Sequence, residues 1–365
     1  MQFSVLATDG SARLGRITTG HGTIDTPCFM PVGTHGAVKG LTGEQLAEAG
    51  ASVMLANLYH LALRPGIDLV EGLGGLHSFT GWHRPILTDS GGYQVFSLAS
   101  LCSVDRDGVS FRSHLDGEAL RLTPAGVVSM QERLGVDIAM MLDECPPWPV
   151  AEEVAAEALD RTVRWARKAR EAQSTDRTAL FGIVQGSFYP RLREHAIEEL
   201  ASLDFDGYAL GGVSVGESKE LGRGTVERFA SALPSGKPRY LMGVGTPADI
   251  LHAVLHGIDL FDCVLPSRNA RHGVAFTKQG TLRLKNARFR DDDRPLAEAC
   301  PCPACRQVSR AFIHHLIRGG HPTGAVFVTL HNMRFYLDFM AHLRQALASA
   351  SLVGSAVEIA RSHAD

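Results

Sequence analysis

The chain has 365 residues, of which 45% are hydrophobic and 21% are charged, and its formal net charge is −3. The length predicts one large α/β domain with an appendage, or two medium domains. With a small negative net charge, the protein as a whole does not attract nucleic acid. A nucleic-acid partner would therefore have to bind a local basic patch. No stretch approaches the roughly 18 apolar residues of a membrane helix, so we expect no membrane partner.

Two features predict a cytoplasmic location. Residues 1–13 lack a basic segment followed by an apolar one, so we expect no secretory signal. The chain has seven cysteines, an odd number, and four of them lie far apart: Cys28, Cys102, Cys145 and Cys263. This pattern indicates reduced thiols rather than a disulfide framework.

The predicted strands follow two patterns. Residues 1–36 alternate apolar and polar side chains between glycines, which predicts an antiparallel β start. After this start, apolar runs typical of doubly buried strands end in small or polar residues, and helix-period stretches follow them. Seven such runs occupy residues 53–59, 85–88, 136–142, 179–184, 208–210, 240–242 and 258–261.

Spacing also predicts the helices between these strands. Thr246 followed by Pro247 predicts a helix start, with a threonine cap and a proline at the first helical position. Residues 150–170 have helical spacing, and one broad face is predicted to contain Val154, Ala155, Ala158, Leu159, Thr162, Val163 and Ala166.

Strands that alternate with helices predict a parallel sheet. The seven runs and a weaker strand at 28–32 predict an α/β fold, an eight-stranded (β/α)8 TIM barrel; an open doubly wound sheet is the alternative. Active sites of barrels lie at the carboxyl ends of the strands. The predicted ends carry Asp89, Asp143, Gln185, Gly212 and Asp262. We interpret Asp262, which a Pro-Ser-Arg turn follows closely, as a covalent nucleophile at the barrel mouth.

A cysteine cluster predicts a metal site. Cys300, Cys302 and Cys305 lie within six residues, and His331 follows a short apolar run. Three thiolates and one imidazole form the closed tetrahedral set of structural Zn²⁺. Packed core cysteines are the alternative, but the intervening prolines disfavour a buried helix or strand. The competing fourth ligands are His314, His315 and His321.

A basic stretch at 268–294 holds eight Lys or Arg residues and three Asp residues. Its cations are Arg268, Arg271, Lys278, Arg283, Lys285, Arg288, Arg290 and Arg294. A charge run alone is more often a solvated hairpin face. This one lies between Asp262 and the cysteines, and it is therefore a candidate phosphate-binding surface.

These pieces together resemble the tRNA-guanine transglycosylases, the queuine tRNA-ribosyltransferase family, over nearly the whole chain. The motifs that carry the resemblance occupy residues 88–94, 141–145, 182–186, 210–217 and 261–268, besides the Cys₃His set. The resemblance implies a (β/α)8 barrel with a C-terminal zinc-binding subdomain inserted near the last strand, usually in a homodimer. It also implies the exchange of guanine-34, in the GUN anticodons of the aspartate, asparagine, histidine and tyrosine tRNAs, for 7-aminomethyl-7-deazaguanine.

The resemblance implies a role for each strand end. Base replacement without strand cleavage breaks a C1′–N9 bond, and a carboxylate that captures C1′ divides this into two displacements with net retention. Asp262 matches the family's nucleophile, and Asp89 matches the carboxylate that moves the proton and contacts the base. Asp143 can accept from the donor edge of guanine, while Gln185 and the N–H of Gly212 can donate to O6. The remaining predicted substrate-binding residues are Ser90, Gly91, Gly92, Tyr93, Gly211, Val215 and Met242.

The family's RNA-contacting positions also map onto this chain. Arg268 and Arg271 are the expected readers of bases that flank the flipped nucleotide. The other matched positions are Asn57, His60, Gln94, Gly243, Val244, Gly245, Thr246, Pro247, Ala248, Asp249, Val264, Ser267, Asn269 and Ala270. Two departures from the family's usual residues are Val213 in place of leucine and Ser267 in place of threonine. Val215, as in the bacterial members, favours the small aminomethyl group over queuine's ring.

We expect three parts: a barrel with N-terminal antiparallel strands at 1–270, a basic zinc-binding subdomain at 271–335, and a helical segment that completes the barrel at 336–365. Three alternatives remain for the function. One is a transglycosylase that uses a 7-cyano base or queuine on tRNA or DNA. The others are a non-catalytic subunit that binds zinc and RNA, and an unrelated zinc-containing RNA-binding module.

Overall fold

The computed structural model describes residues 1–92, 102–113 and 117–362. Its strands are β1 Gln2–Asp9, β2 Ala12–Thr19, β3 Gly22–Thr26, β4 Cys28–Pro31, β5 Met54–Asn57, β6 Ile86–Asp89, β7 Cys102–Asp105, β8 Gly108–Arg112, β9 Ala119–Leu122, β10 Ile138–Met140, β11 Ala179–Val184, β12 Gly207–Leu210, β13 Arg239–Leu241, β14 Leu260–Cys263, β15 Val274–Thr277 and β16 Gly280–Arg283.

The helices in this part of the chain are α1 Gly43–Glu48, α2 Leu58–Leu63, α3 Ile67–Gly72, α4 Gly75–Thr80, α5 Pro124–Leu134, α6 Glu152–Ala172, α7 Pro190–Ser202, α8 Lys219–Phe229, α9 Pro247–Leu255, α10 Leu265–Arg271, α11 Pro303–Gln307, α12 Arg310–Arg318, α13 Pro322–Ala348 and α14 Leu352–Ser362. A 3₁₀ turn occupies Ala287–Phe289. None of these helices combines the length and hydropathy that crossing a bilayer requires.

Eight parallel strands form the predicted barrel, in the order β4-β14-β13-β12-β11-β10-β6-β5. A parallel bridge between Val32 and Leu55 joins the two ends of this order, and Gly33 N donates to Leu55 O at 2.7 Å. The sheet is therefore a nearly closed barrel, and the alternative of an open doubly wound sheet is wrong. All eight predicted strand positions contain a barrel strand.

The strands form where the sequence is continuously apolar. Every residue of β11 and β12 is buried, as expected of strands covered on one side by helices and on the other by the barrel interior. The run predicted at 53–59 ends earlier than its hydrophobicity suggests. Asn57 caps α2 by accepting from His60 N at 3.1 Å, so Leu58 and Tyr59 begin a helix.

The predicted start of α9 is confirmed, because Thr246 Oγ1 accepts from Asp249 N and Pro247 takes the first helical position. Helix α6 is also confirmed, but Val154 is 50% exposed and does not belong to its buried face. The buried side chains of this helix extend further along its axis instead, through Trp165 and Ala169.

Two smaller sheets flank the barrel. Strands β1–β3 form the antiparallel sheet predicted for the N-terminal residues. Strands β7–β9 form another three-stranded antiparallel sheet, to which the sequence patterns assign no strand. Arg13 pairs with Asp259 immediately before β14, and this buried ion pair fastens the N-terminal sheet to the barrel.

The C-terminal third contains a separate hydrophobic cluster around the cysteines, with Phe289, Leu296 and Ile313 among its buried members. Helix α13 has 27 residues and contributes Val328 to this cluster and Tyr336 to the barrel core. The expected boundary at residue 335 falls within α13, and the division into three parts stays a prediction.

Candidate active site and metal centre

A cavity of about 310 Å³ opens at the carboxyl ends of the barrel strands. The five strand-end residues that the sequence singles out all line it: Asp89, Asp143, Gln185, Gly212 and Asp262. They lie far apart in the chain, and the parallel barrel brings them together because all its strands end on the same face.

Asp262 is held by strand β13 and the turn that follows it. Its Oδ1 accepts from Tyr240 Oη at 2.6 Å and from Gly243 N at 2.8 Å. Burial raises the pKa of Asp262, and these two hydrogen bonds lower it because they favour the charged form. Within the described residues Oδ2 accepts no hydrogen bond, so one oxygen is anchored and the other is available in the cavity.

Asp89 ends strand β6 and lines the same cavity. Its Oδ1 accepts from Leu58 N at 3.0 Å, and its Oδ2 accepts from the amide of Asn57. Burial, followed by the nearby negative charge of Asp262, raises the pKa of Asp89 to about 7 in spite of these hydrogen bonds. Such a carboxyl group can both give and take a proton near neutral pH.

Asp143 and Gln185 form a polar pair on the cavity wall. Asp143 Oδ2 accepts from Gln185 Nε2 at 2.7 Å, and Oδ1 accepts from Ser90 Oγ at 3.3 Å. Burial raises the pKa of Asp143 to about 6. Gln185 Oε1 is buried without a hydrogen-bond partner among the described residues. A Cβ on Gly92 would come within 2.0 Å of Asp143 Oδ1, so only glycine fits there.

Arg193 supports the Gly211-Gly212 turn from behind. Its side chain is fully buried on α7, and no carboxylate in the described chain pairs with it. Instead it donates to carbonyl oxygens: Nε to Ser187 at 2.5 Å, Nη1 to Val184 at 3.4 Å, and Nη2 to Gly211 at 2.9 Å and Gly212 at 3.3 Å. Burial lowers the pKa of Arg193 to about 10. The guanidinium thus fixes the peptides at the ends of β11 and β12.

The segment after Gly212 also has a defined anchor. Glu217 accepts from Ser214 N at 2.6 Å and from Val215 N at 2.8 Å. Val213 and Val215 are buried and line the cavity. Gly212 has φ +62° and Ser214 has φ +65°, so the chain turns sharply twice here.

The predicted RNA-contacting residues are distributed around this mouth. Asn57, His60, Gly243 and Val264 line the cavity, as does Met242, which is predicted to bind the base. Tyr93 and Gln94 lie outside the described residues. Of the other predicted residues, Gly91 follows β6, Thr246 caps α9, Ala248 lies in the first turn of α9, and Asn269 lies within α10.

Several of these predicted positions are buried or already paired. Ala270 is fully buried in the C-terminal cluster. Pro247 and Ser267 are also buried, and Val244 and Gly245 pack inward. Asp249 pairs with Arg223, and Arg271 Nη1 donates to Ser267 O at 3.1 Å. Arg268 and Arg271 on α10 are exposed, so these cations can reach a phosphate or a base.

The four predicted metal ligands converge in space. One ligand atom from each of Cys300, Cys302, Cys305 and His331 lies within 4.8 Å of the others. His331 Nδ1 is 3.2 Å from Cys305 Sγ and 3.8 Å from Cys302 Sγ. Hydrogen bonds with Cys302 and Cys305 lower the pKa of the Cys300 thiol.

This set fits zinc. His331 Nε2 donates to Phe276 O at 2.7 Å, which leaves Nδ1 with its lone pair directed at the thiols. Three sulfurs and one nitrogen complete a tetrahedral structural site and leave no position for water. His314 Nδ1 bonds Leu284 O at 2.7 Å instead, so His331 is confirmed as the fourth ligand over its competitors.

Two residues of the site escape sequence reasoning. Arg193 shares the buried face of α7 with Ala196 and Leu200. The signal is a charged residue in an apolar helical stripe. Tyr240 is predicted only as part of a strand. Nothing in the sequence indicates that its hydroxyl group contacts Asp262 on the neighbouring strand.

Comparisons with known proteins match this chain over almost its whole length. The family described as queuine tRNA-ribosyltransferase matches residues 9–365. A queuine tRNA-ribosyltransferase of Thiobacillus denitrificans is 49% identical over 347 residues, 95% of each chain. The corresponding protein of Aromatoleum aromaticum is 50% identical over 354 residues, 96% of each chain. That of Desulforudis audaxviator is 51% identical over 349 residues, 95% of this chain and 94% of its own.

Proposed function

The chain belongs to the queuine tRNA-ribosyltransferase family and is a tRNA-guanine transglycosylase, and we propose that it replaces guanine-34 of GUN anticodons with 7-aminomethyl-7-deazaguanine through a covalent bond between Asp262 and ribose C1′. The observation that carries the covalent step is the cavity itself. Asp262 lies in the cavity with one carboxylate oxygen anchored and the other available. Asp89 lies in the same cavity, and the pKa of its carboxyl group is about 7.

In the first displacement, Asp262 Oδ2 attacks C1′ and the C1′–N9 bond breaks. The electron pair stays on guanine, which takes the proton from the carboxylic acid of Asp89. In the second, N9 of the incoming base loses its proton to Asp89 and attacks C1′. The Asp262–C1′ bond breaks and its electron pair returns to the carboxylate. Two inversions give net retention, as in retaining glycosidases.

Recognition of the base follows from the polar wall. Asp143 accepts from N1–H and the 2-amino group, Gly212 N–H donates to O6, and the Gln185 amide exchanges its contact with Asp143 for one with O6. A site built on such buried groups rejects bases that leave them unpaired. Arg193 is a positioning residue, because it holds the carbonyls on both sides of the Gly212 amide. Val215 limits the room for a 7-substituent, which favours the small aminomethyl group.

Zinc at Cys300, Cys302, Cys305 and His331 supplies a structural cross-link when bound. These four residues connect the segment around α11 to helix α13. They therefore stabilise the region that follows the basic stretch at 268–294. We propose that the anticodon stem-loop lies across this surface, with Arg268 and Arg271 next to the target nucleotide. The target base must leave its stack to reach the cavity.

We also propose that the protein acts as a homodimer in the cytoplasm. Large apolar side chains are exposed on α3, just after it and on α4: Leu69 at 48%, Leu73 at 57% and Phe79 at 38%. Exposed apolar groups of this size on neighbouring helices favour a protein interface. Sedimentation of the protein and of a Leu73→Glu variant tests the dimer. The parent should sediment as a dimer and the variant as a monomer, and a monomeric parent would refute the proposal.

The test of the substrate is base exchange with labelled guanine. The protein should incorporate label into tRNA and not into duplex DNA, and mass spectrometry should then identify 7-aminomethyl-7-deazaguanine as the base that replaces guanine irreversibly. Exchange into DNA, or preference for a 7-cyano base, would support the alternative transglycosylases. Zinc and RNA binding without any exchange would support the non-catalytic subunit.

A further inference from the structure

A second group of metal-ligating side chains lies between helices α8 and α9, apart from the cysteine cluster. His252 lies on α9 and His256 caps its C-terminus, while Glu227 lies on α8. One ring nitrogen of each histidine and one carboxylate oxygen lie within 4.8 Å of one another. The i, i+4 spacing places the two imidazoles on the same side of the helix, one turn apart.

The hydrogen bonds of the two histidines determine where their lone pairs are. His252 Nε2 lies 3.3 Å from Arg223 O, and His256 Nδ1 lies 2.7 Å from His252 O. A carbonyl oxygen only accepts, so the hydrogen must be on these two nitrogens. The lone pairs are therefore on His252 Nδ1 and His256 Nε2. Metal-bound histidines usually donate their other N–H to a carbonyl or carboxylate in this way.

The cation beside this site, Arg223, is paired with a carboxylate. Its charge still acts against a second positive charge at His252, and the charge of Glu227 acts in the opposite direction. Arg223 pairs with Asp249 at 2.8 Å, and Thr246 Oγ1 donates to the other oxygen of Asp249 at 2.7 Å. Glu227 is exposed, so its carboxylate can adjust to a ligand without disturbing the core.

We propose that Glu227, His252 and His256 form a binding site for one first-row divalent cation of the zinc class. Two imidazole nitrogens and one carboxylate oxygen suit Zn²⁺, Ni²⁺ or Cu²⁺ rather than the oxygen-seeking Mg²⁺ or Ca²⁺. Three protein ligands leave a position for water, so this site is open, unlike the Cys₃His site.

The site has a structural consequence for the barrel mouth. His252 lines a second cavity, of about 220 Å³, which shares Val213 and Ser214 with the active-site cavity. Thr246, which caps helix α9, and Pro247, its first residue, also lie in the segment expected to contact RNA. A cation that joins α8 to α9 would brace the helix into which that segment leads.

A third group of possible metal ligands is better explained by hydrogen bonds than by a metal site. His21, His77 and Asp137 also lie within 4.8 Å of one another, but the two rings stack at 3.6 Å and 14°. Both ring nitrogens that approach Asp137 do so at hydrogen-bond distance, 3.0 and 3.1 Å, and Ile86 N donates to the same carboxylate at 2.9 Å. This group is a hydrogen-bonded contact between the N-terminal sheet and the barrel.

Zinc chloride titrated calorimetrically into the holoprotein, which already contains one zinc per chain, tests the proposal. We expect one additional zinc per chain. His256→Ala and Glu227→Gln should each weaken its binding by at least about tenfold, since even the loss of an outer hydrogen-bond partner costs 10–100-fold. His272→Ala is the matched control, because His272 also caps a helix and bonds the carbonyl four residues before it, at 2.8 Å, without belonging to either group.

A stoichiometry that stays at one zinc per chain would overturn the proposal. So would an additional zinc that His256→Ala and Glu227→Gln bind as tightly as the parent does. If His256→Ala fails to fold, Glu227→Gln decides alone, because its exposed side chain is not needed for packing. His21→Ala should leave the additional zinc bound, and its loss in that variant would assign the metal to the stacked histidines instead.

Discussion

Tyr240 Oη donates a hydrogen bond of 2.6 Å to Asp262 Oδ1, across the neighbouring strands β13 and β14. The N–H of Gly243 donates to the same oxygen at 2.8 Å. Both donors favour the ionised carboxylate and so oppose the effect of burial on its pKa. They also fix which oxygen is held and which is presented to the cavity.

We therefore predict that Tyr240→Phe shifts the acid limb of the pH dependence of kcat/KM upwards. Loss of a donor that stabilises the charged form raises the pKa of Asp262, and a hydrogen bond to a charged group is worth about 1.5–3 kcal/mol, or about 1–2 pH units. Tyr208→Phe is the matched control, since Tyr208 lies on β12 and its hydroxyl accepts from Phe205 N at 3.1 Å. An acid limb at the same pH in Tyr240→Phe and the parent would contradict this role.

Asp89→Asn should stabilise the protein at alkaline pH. The pKa of Asp89 is about 7 in the folded state and 3.8 for the free side chain, so the folded state binds more protons between about pH 4 and 7. Stability is lost as pH rises through this window, and an uncharged amide avoids that loss. Urea unfolding should show a gain of about 1–3 kcal/mol above pH 7 and none below pH 4.

Asp137→Asn is the matched comparison, with the opposite sign. Hydrogen bonds from His77 and Ile86 lower the pKa of Asp137 against the effect of burial, so its charge stabilises the folded state above the pKa of the unfolded chain. That variant should lose stability at neutral pH. A loss of stability in Asp89→Asn at pH 8 would contradict the prediction, because it would mean that the ionised carboxylate of Asp89 does not destabilise the folded state.

Arg193→Met should weaken discrimination for O6 of guanine. Methionine cannot donate the hydrogen bonds that Arg193 makes to the carbonyl oxygens of Gly211 and Gly212. The N–H of Gly212 is then no longer held in a fixed direction. The ratio of kcat/KM for guanine over 2-aminopurine, which lacks O6, should fall by about tenfold, the value of one hydrogen bond. Arg193→Lys should restore part of the ratio.

A matched control separates positioning from stability. Arg239, on strand β13, is another buried arginine, and it donates to Ser231 O and Leu233 O. Arg239→Met should lower the melting temperature and leave the base ratio unchanged. If Arg193→Met also lowers stability but keeps the ratio, Arg193 is structural only.

Removal of zinc should unfold the C-terminal cluster. The metal joins Cys300, Cys302 and Cys305 to His331 in a cluster with few other buried side chains. Structural zinc contributes on the order of 10 kcal/mol in small domains, far more than one buried cysteine. Cys302→Ala should therefore lose the metal and melt at a much lower temperature, while Cys28→Ala, in strand β4, should retain it. One zinc per chain that remains bound when Cys302→Ala is combined with Glu227→Gln and His256→Ala would contradict the ligand set.

The sequence predicts those features that depend on local pattern or on strand direction. Thr246 and Pro247 mark a helix start by their own chemistry. Asp89, Asp143 and Asp262 can be grouped in advance because parallel barrel strands end on one face. The three cysteine ligands are predicted because they lie close together with prolines between them, whereas the choice of His331 over the other histidines needs the family resemblance as well.

The remaining features depend on packing that hydrophobic patterns do not record. A charged residue such as Arg193 is normally predicted to lie on the surface. In the structure it is buried, and its guanidinium donates hydrogen bonds to backbone carbonyl oxygens. Val154 fits the helical stripe of α6 but lies beyond its contact with the barrel. Strands β7–β9 alternate over only four or five residues, too few for a clear period.

The central claim is that Asp262 forms a bond to ribose C1′, and denaturing electrophoresis with radiolabelled tRNA tests it most directly. The parent protein, incubated with tRNA and a base that arrests the second displacement, should give a labelled protein–RNA band that survives denaturation. Asp262→Asn should still bind tRNA in native gels but give no such band. A denaturation-resistant adduct or continued base exchange in Asp262→Asn would contradict the account.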